Sequence, residues 1–275
     1  MSNSIEVANL SNTGRRRPHN EDSAVTDSAL GLAIVADGMG GYKAGEVASA
    51  IVAKMVLDAV RDGLRSVKNG QVNEDSGMME QTEVVRTAVL EANAHVFNTA
   101  QTVPQCQGMG TTIVCLLVRD ARMTVAHVGD SRLYRLKNEE LSQVTSDHSL
   151  IQELIDRGFF TPEEAVANTP KNLVTRALGI EESVEVDVQE LDVSDDEIYL
   201  LCSDGLNDMV EDEEIRLTLS KYSANLEQAA EELVRLANEN GGKDNVSVVL
   251  VRPKTQAPTR LAFINKFNRL LKKGS

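Results

Sequence analysis

The chain has 275 residues, of which 41% are hydrophobic, and its 28 basic and 42 acidic residues give a net charge of −14. This length is enough to bury one large hydrophobic core, so we expect a single domain followed by a tail. The acidic excess argues against general nucleic-acid binding, because phosphate backbones select basic surfaces. Three cysteines without paired spacing, and no apolar run of about 20 residues, predict a protein of the reducing cytoplasm rather than a secreted or membrane-spanning one.

The first half of the chain predicts a strand and two helices. Residues 30–36 form a short apolar run that ends at Asp37-Gly38, which indicates a strand followed by a turn. Apolar residues then recur at helical spacing over 44–59 and again over 85–96. The polar, glycine-containing segment at 66–80 predicts a loop between them, so the two helices form a pair.

The second half predicts antiparallel strands. Apolar runs at 111–118, 123–128 and 133–136 are separated by gaps too short for a crossover helix, so these strands must be antiparallel. The remaining elements predicted are three strands and one helix, at residues 184–193, 197–202, 245–251 and 226–237. Antiparallel sheets layered with helices indicate an α+β fold.

Residues 146–178 interrupt the predicted meander. They contain a short polar helix predicted at 148–157 and a helix start at Thr161-Pro162. An insertion of this length beside a candidate site is usually functional or mobile, so we interpret it as a flap.

Five short acidic motifs are the most informative feature of the chain, and all but the first lie next to an apolar run. They are Asn20-Glu21-Asp22, Asp37-Gly38, Gly129-Asp130, Asp204-Gly205 and Lys243-Asp244-Asn245. A single Asp-Gly pair is more typical of an ordinary turn. Carboxylates gathered from neighbouring strand ends need cations, because like charges at close range raise one another's pKa. Oxygen ligands favour Mg²⁺ or Mn²⁺ over zinc, and we assign none of the four histidines as a ligand.

An internal repeat helps to separate a site motif from an ordinary loop. Asn73-Glu74-Asp75 repeats the first tripeptide in a polar, glycine-flanked segment and has no arginine five residues before its aspartate. We interpret this copy as a solvated loop. The first copy follows Arg17, whose planar guanidinium suits bidentate contact with a phosphate. The neighbouring Arg15 and Arg16 are interpreted as exposed.

These motifs, taken in chain order, resemble those of the metal-dependent protein serine/threonine phosphatases of type 2C, in their bacterial-type branch. The resemblance rests on Arg17-x-x-Asn20-Glu21-Asp22, Val35-Ala36-Asp37-Gly38-Met39-Gly40-Gly41, Gly108-Met109-Gly110-Thr111-Thr112, Val128-Gly129-Asp130-Ser131-Arg132, Ser203-Asp204-Gly205-Leu206 and Gly242-Lys243-Asp244-Asn245. It spans residues 5–252 and implies a central antiparallel β-sandwich flanked by antiparallel helix pairs, with a flap. It also implies two Mn²⁺ or Mg²⁺ ions bridged by a water, whose hydroxide attacks phosphorus in line.

The resemblance assigns roles to the matching residues. The implied metal ligands are Asp22, Asp37, Asp204 and Asp244, the Gly38 carbonyl, and Glu21 directly or through water. Arg17 would clamp the substrate phosphate, and Asp130 with Asp204 would hold a weaker third ion. Animal relatives carry a histidine, proposed as general acid, where this chain has Met39. That departure leaves the proton donor to the leaving oxygen unassigned, with metal-bound water as its substitute.

The implied function is hydrolysis of phosphoserine and phosphothreonine on proteins, reversing a bacterial serine/threonine kinase, by a cytoplasmic monomer. Cysteine-dependent phosphatases are excluded, because none of the three cysteines has an arginine six residues later. The alternative is a catalytically silent, metal-bound module that binds phosphoproteins. Such a module should have lost a core aspartate, and here every position is filled.

Residues 253–275 are predicted to form a tail separate from the catalytic domain at 1–252. They hold six basic and no acidic residues, which leaves 22 basic against 42 acidic residues, a net charge of −20, on the rest of the chain. A linker with proline and threonine precedes apolar residues at helical spacing, with basic residues interleaved, over 260–273. This pattern is typical of a segment that contacts an anionic membrane, a partner or its own acidic body transiently. It is equally typical of a frayed end or of a helix packed on the core.

Overall fold

Two antiparallel sheets pack face to face between two layers of helices. The computed structural model describes residues 4–41, 44–68, 70–119 and 121–254. Its strands are β1 (Ser4–Asn12), β2 (Asp22–Asp27), β3 (Leu32–Met39), β4 (Gly110–Thr111), β5 (Ile113–Arg119), β6 (Arg122–Val128), β7 (Arg132–Lys137), β8 (Glu140–Gln143), β9 (Asp187–Asp192), β10 (Ile198–Cys202) and β11 (Val246–Lys254). Its helices are α1 (Ala44–Gly63), α2 (Glu80–Thr102), α3 (Leu150–Asp156), α4 (Pro162–Asn168), α5 (Asp204–Asn207), α6 (Asp212–Lys221) and α7 (Leu226–Glu239), with a 3₁₀ turn at Pro104–Cys106.

The strand order is β1-β11-β10-β7-β8 in one sheet and β2-β3-β5-β6-β9 in the other, with β4 paired to β3. Neighbouring strands in both sheets are antiparallel. Short connections such as the one between β5 and β6 leave no room for a parallel crossover. The predicted α+β class, with an antiparallel sandwich at its centre, is therefore confirmed.

Three buried apolar clusters hold the layers together. Successive side chains of a strand point to opposite faces, so β3 contributes Val35 to the cluster between the sheets and Ile34 to the cluster under α1 and α2. Helices α6 and α7 cover the outer face of the other sheet, where Leu219 and Leu233 are buried. The two central sheets are thus covered on both faces. Residues at the ends of their strands can therefore form a site.

The flap at 146–178 leaves the sandwich after β8 and returns before β9. Its two ends are paired, because Ser149 bridges Val174 and Leu178 bridges Thr111 of β4. Helix α3 begins after Ser149, whose side chain accepts the backbone N–H at the third helical position, and Thr161 caps α4 with a capping box. The predicted short helix at 148–157 therefore starts two residues later, at Leu150.

Other elements differ from the sequence-based predictions. Strands β1, β2 and β8 and helix α6 were missed, and β2 shows why: all six of its residues are partly exposed, so it has no continuous apolar run. The strand predicted at 184–193 begins at Asp187. Strand β11 runs to Lys254, so the first two residues of the predicted tail, Pro253 and Lys254, belong to this strand. Predictions for residues 255–275 lie outside the described residues. Within the described ranges, no helix is long and apolar enough to span a membrane.

Candidate active site

The acidic motifs meet at one end of the sandwich. Asp22 begins β2 and lies opposite Asp37 of β3 in the strand register. In the other sheet, Asp204 follows β10 and Asp244 lies just before the neighbouring strand β11. An open cavity of about 210 Å³ is lined by seven of the eight predicted site residues, which are Arg17, Glu21, Asp37, Gly38, Asp130, Asp204 and Asp244. The fold therefore gathers the residues that the sequence singled out.

Two glycines allow the motifs to approach one another. A Cβ at Gly205 would overlap the backbone carbonyl of Asn245, so this position brings the Asp204 and Asp244 motifs together without a side chain. A Cβ at Gly38 would overlap the backbone of Gly45 at the start of α1. A larger residue at either position would push the backbone segments apart.

Burial and repulsion from neighbouring carboxylates raise the pKa values of Asp22, Asp37, Asp130 and Asp204. Burial raises the pKa of Asp22 and of Asp130 to about 6. The pKa values of Asp37 and Asp204 lie well above the ordinary range, because burial is reinforced by the neighbouring carboxylates. Ionised together without compensating charge, these groups cost the folded protein free energy at neutral pH.

Hydrogen bonds from neighbouring side chains hold two of the acidic motifs in place. Ser203 donates its hydroxyl to Asp22 Oδ2 at 2.7 Å and accepts a backbone N–H of β11 at 3.0 Å. The Asn245 side-chain oxygen accepts the Glu21 N–H at 2.8 Å. Ser203 and Asn245 lie inside sequence motifs that predicted no role for either residue, and in the structure they connect motifs distant in the chain.

The donor set fits divalent cations. Oδ1 of Asp22 and Oδ1 of Asp204 are buried and have no hydrogen-bond partner among the described residues. A buried carboxylate oxygen without a partner is costly, and a cation relieves that cost. The predicted ligands offer only oxygen atoms, as Mg²⁺ and Mn²⁺ prefer. Arg17 supplies one positive charge at the rim, with Nη2 at 2.6 Å from Asp244 Oδ2 and 48% of its side chain exposed.

A second pocket of about 130 Å³ adjoins the cavity at the flap. It shares Asp130 and Asp204 with the cavity, adds Asp208, and is lined on the flap side by Val166. Asp208 was missed by the sequence analysis. The spacing could have predicted it, because Asp208 follows Asp204 by four residues, and side chains about one helical turn apart lie on the same face.

The internal repeat lies away from the cavity, as predicted. Glu74 and Asp75 are exposed in the loop between α1 and α2, and Asn73 accepts the Asp75 N–H at 3.0 Å within that loop. Arg15 and Arg16 are exposed. Identical tripeptides therefore have different surroundings, and only the first copy contributes to the site.

Comparison with known proteins identifies relatives along most of the chain. The family model for protein phosphatase 2C matches residues 15–250. The chain is 36% identical over 244 residues to the serine/threonine phosphatase stp of Listeria monocytogenes, covering 86% of this chain and 92% of that protein. It is 34% identical over 260 residues to the protein phosphatase PhpP of Streptococcus pneumoniae, covering 90% of this chain and 97% of that protein.

Solved structures match the fold as well. The crystal structure of the serine/threonine phosphatase PstP/Ppp of Mycobacterium tuberculosis matches with a TM-score of 0.79 at 36% identity, covering 90% of this chain and 98% of that one. The catalytic domain of PstP in complex with two manganese ions matches with a TM-score of 0.77 at 35% identity, covering 91% and 98%. Together with the motif order and the geometry of the cavity, these similarities show that the chain belongs to the protein phosphatase 2C family.

Proposed function

We propose that the cavity is the catalytic centre in which phosphoserine and phosphothreonine on proteins are hydrolysed. Membership of the protein phosphatase 2C family makes the chain a metal-dependent serine/threonine phosphatase. The observation that carries the assignment to this cavity is the pair of buried, unpartnered oxygens, Asp22 Oδ1 and Asp204 Oδ1, among carboxyl groups with raised pKa. No polar group in the described part of the chain donates a hydrogen bond to these oxygens. Divalent cations would compensate for their burial by coordinating them.

In this proposal two ions, Mn²⁺ or Mg²⁺, bind in the cavity. Six residues would supply their oxygen ligands: Asp22, Asp37, Asp204 and Asp244, the Gly38 carbonyl, and Glu21 directly or through water. Asp130 and Asp204 would hold a weaker third ion, because both line the cavity and the second pocket. Bound there, divalent cations would lower the pKa of a water for in-line attack on phosphorus and would offset negative charge on the phosphoryl oxygens.

Arg17 is proposed to bind the substrate phosphate. The hydrogen bond to Asp244 raises the pKa of Arg17, so its guanidinium stays charged. Its exposed position at the cavity rim lets it turn toward an incoming phosphoryl group, and its planar fork can donate to two phosphoryl oxygens at once. Asp37 and Asp204, which both line the cavity, complete the proposed catalytic set.

The leaving serine or threonine oxygen is proposed to take its proton from water. Met39 lines the cavity at the position where a histidine stands in animal relatives. A thioether carries no proton, so Met39 cannot act as a general acid.

The remaining assignments concern the setting of the enzyme. We propose a catalytic domain that ends near residue 252, a flap that contacts the protein substrate, and a tail that contacts an anionic membrane or a partner transiently. The enzyme would act as a monomer, against a serine/threonine kinase, in a reducing cytoplasm, where its three free cysteines stay reduced. The silent-module alternative has no support, since each of the core aspartates is retained.

Steady-state phosphate release from a phosphothreonine peptide, with Mn²⁺ present, tests the role of Arg17. Arg17→Ala removes the charge and the fork, and we expect kcat/KM to fall about 10- to 100-fold, mainly through KM. Arg17→Lys keeps the charge and should recover only part of the loss. The matched control is Arg16→Ala, because Arg16 is exposed and does not line the cavity. Equal KM values for Arg17→Ala and Arg16→Ala would remove Arg17 from the phosphate site. Wild-type protein that binds Mn²⁺ without turnover would favour the silent module.

A further inference from the structure

Two histidines, an arginine and an aspartate form a cluster at the base of the flap, outside the cavity. His127 of β6 and His148 stack with ring centroids 4.7 Å apart and ring planes at 22°. Arg176 Nη1 lies 2.7 Å from Asp187 Oδ1 and 3.1 Å from His148 Nε2. His127 is 1% exposed and His148 is 8% exposed. The proposed phosphatase mechanism uses none of these side chains.

The cluster is built around the arginine rather than around a metal ion. One potential ligand atom from each of His127, His148 and Asp187 lies within 4.8 Å of the other two. Nearly parallel stacked rings are badly oriented to aim two in-plane lone pairs at one ion about 2 Å away. The Arg176 guanidinium also already places a positive charge between Asp187 and His148. The cluster therefore serves another purpose.

His148 forms two hydrogen bonds with the backbone of Gly129. Its backbone N–H donates to the Gly129 carbonyl, and its Nδ1 accepts the buried Gly129 N–H, both at 3.0 Å. Because Nδ1 accepts the Gly129 N–H, the neutral ring carries its proton on Nε2, which lies 3.4 Å from Asp187 Oδ2. Arg176 Nη1 is also a donor, so its approach to Nε2 is a close contact and not a hydrogen bond in this tautomer. Burial, together with His127 and Arg176, lowers the pKa of His148, which keeps the ring neutral near pH 7.

The same residue joins the two ends of the flap. The His148 carbonyl accepts the Thr175 N–H at 2.8 Å, and Arg176 of the returning segment contacts the His148 ring. Gly129 directly precedes Asp130, which lines both the cavity and the second pocket. One side chain thus connects the flap to the turn that presents Asp130.

We propose that His148 is a positioning residue that fixes the turn at Gly129 and Asp130 relative to the flap, so that Asp130 is held in place to bind the third ion. The inference rests on the proposed function, because it assumes that Asp130 binds a cation. His148 acts through the Gly129 backbone and the flap, and its ring contacts neither substrate nor the ion. Without it, the buried Gly129 N–H loses its acceptor and the flap loses its link to the turn.

Two substitutions separate the hydrogen bond from the bulk of the ring. His148→Asn places Oδ1 at the same point in the side chain as Nδ1, so the acceptor for the Gly129 N–H is retained. His148→Leu fills a similar volume and provides no acceptor. Leu219→Ala, in the buried face of α6, controls for a loss of stability alone. Calorimetric titration with Mn²⁺ measures ion binding, and Asp130→Asn identifies which binding step belongs to the third ion.

One Mn²⁺-binding step is identified by its loss in Asp130→Asn. For His148→Leu we expect the affinity of that step to fall about tenfold, which corresponds to the cost of one buried N–H left without an acceptor. Trypsin should also cut the native protein faster after Arg157 and Lys171, two exposed flap residues. His148→Asn should stay within about twofold of wild type in both measurements, and Leu219→Ala should match wild type at temperatures where it is folded.

Unchanged Mn²⁺ affinity and flap cleavage in His148→Leu would overturn the proposal. An equal effect of His148→Leu and His148→Asn would overturn it as well, because the hydrogen-bond acceptor would then be irrelevant. Failure of the wild-type protein to bind Mn²⁺ at all would instead refute the proposed function on which the inference rests.

Discussion

Replacing Asp130 by asparagine should stabilise the metal-free protein at neutral pH. Asp130 is 8% exposed, and burial, reinforced by Asp147, raises its pKa from 3.8 to about 6. A pKa difference of this size corresponds to about 3 kcal/mol of destabilisation of the folded state when the group is ionised. Asparagine has nearly the same shape and carries no charge, so it removes that cost. Because other carboxylates share the site, removing one charge also relieves repulsion on Asp37 and Asp204.

The stabilisation by Asp130→Asn should disappear in acid. A carboxyl group whose folded-state pKa is raised stabilises the fold fully only below its unfolded-state pKa, and the contribution is lost as pH rises through the folded value. The difference in free energy of unfolding between Asp130→Asn and wild type should therefore be near zero at about pH 4 and reach its maximum above about pH 7.

Thermal unfolding in EDTA, at several pH values, measures this difference. A gain of about 3 kcal/mol corresponds to a rise in Tm of about 6–12 °C for a domain of this size. Asp75→Asn, in the exposed loop, is the control and should leave Tm unchanged. With Mn²⁺ present the difference should shrink, because wild type alone keeps the Asp130 ligand and gains stability from binding the third ion. The reasoning is refuted if folded, metal-free Asp130→Asn is no more stable than wild type at pH 8.

Two further substitutions test how the site is assembled. Ser203→Ala removes the hydrogen bond to Asp22 and should weaken Mn²⁺ binding about tenfold in a calorimetric titration; unchanged affinity would show that the hydroxyl does not orient the carboxylate. Gly205→Ala places a methyl group against the Asn245 carbonyl and should lower the free energy of unfolding in urea by about 2–4 kcal/mol. Gly41→Ala, where a Cβ meets nothing within 4 Å, should cost less than about 1 kcal/mol. Equal costs for the two glycine substitutions would contradict the close approach at Gly205.

Elements buried on both faces could be predicted from the sequence, and partly exposed edge elements could not. Strands β5 and β6 are almost wholly buried, so their apolar runs stand out along the chain. Strand β2 lies at the edge of its sheet with every residue partly exposed, and its pattern is too weak to distinguish it from a loop. Asp22 at its start was found through its motif, independently of the strand.

The carboxylates of the site were predictable, whereas the groups that hold them were not. An acidic residue at the end of an apolar run is a local signal that the sequence shows directly. The hydrogen bond from Ser203 to Asp22 joins residues 181 positions apart, and it depends on how the two sheets face each other. The contact between His148 and Gly129 depends in the same way on the return of the flap. Histidines isolated along the chain therefore gave no sign that two of them stack.

The most direct test of the metal centre is whether phosphate release depends on Asp22 and not on Asp75, the aspartate of the exposed copy of its tripeptide. Initial rates of phosphate release from a phosphothreonine peptide are measured for wild type, Asp22→Asn and Asp75→Asn, each with Mn²⁺ and with excess EDTA. Both substitutions make the same change in the same tripeptide, Asn-Glu-Asp. The account predicts Mn²⁺-dependent turnover in wild type and Asp75→Asn, and a loss of at least about 100-fold in Asp22→Asn. Equal rates for the two variants, or turnover that persists in EDTA, would contradict the metal-centre assignment.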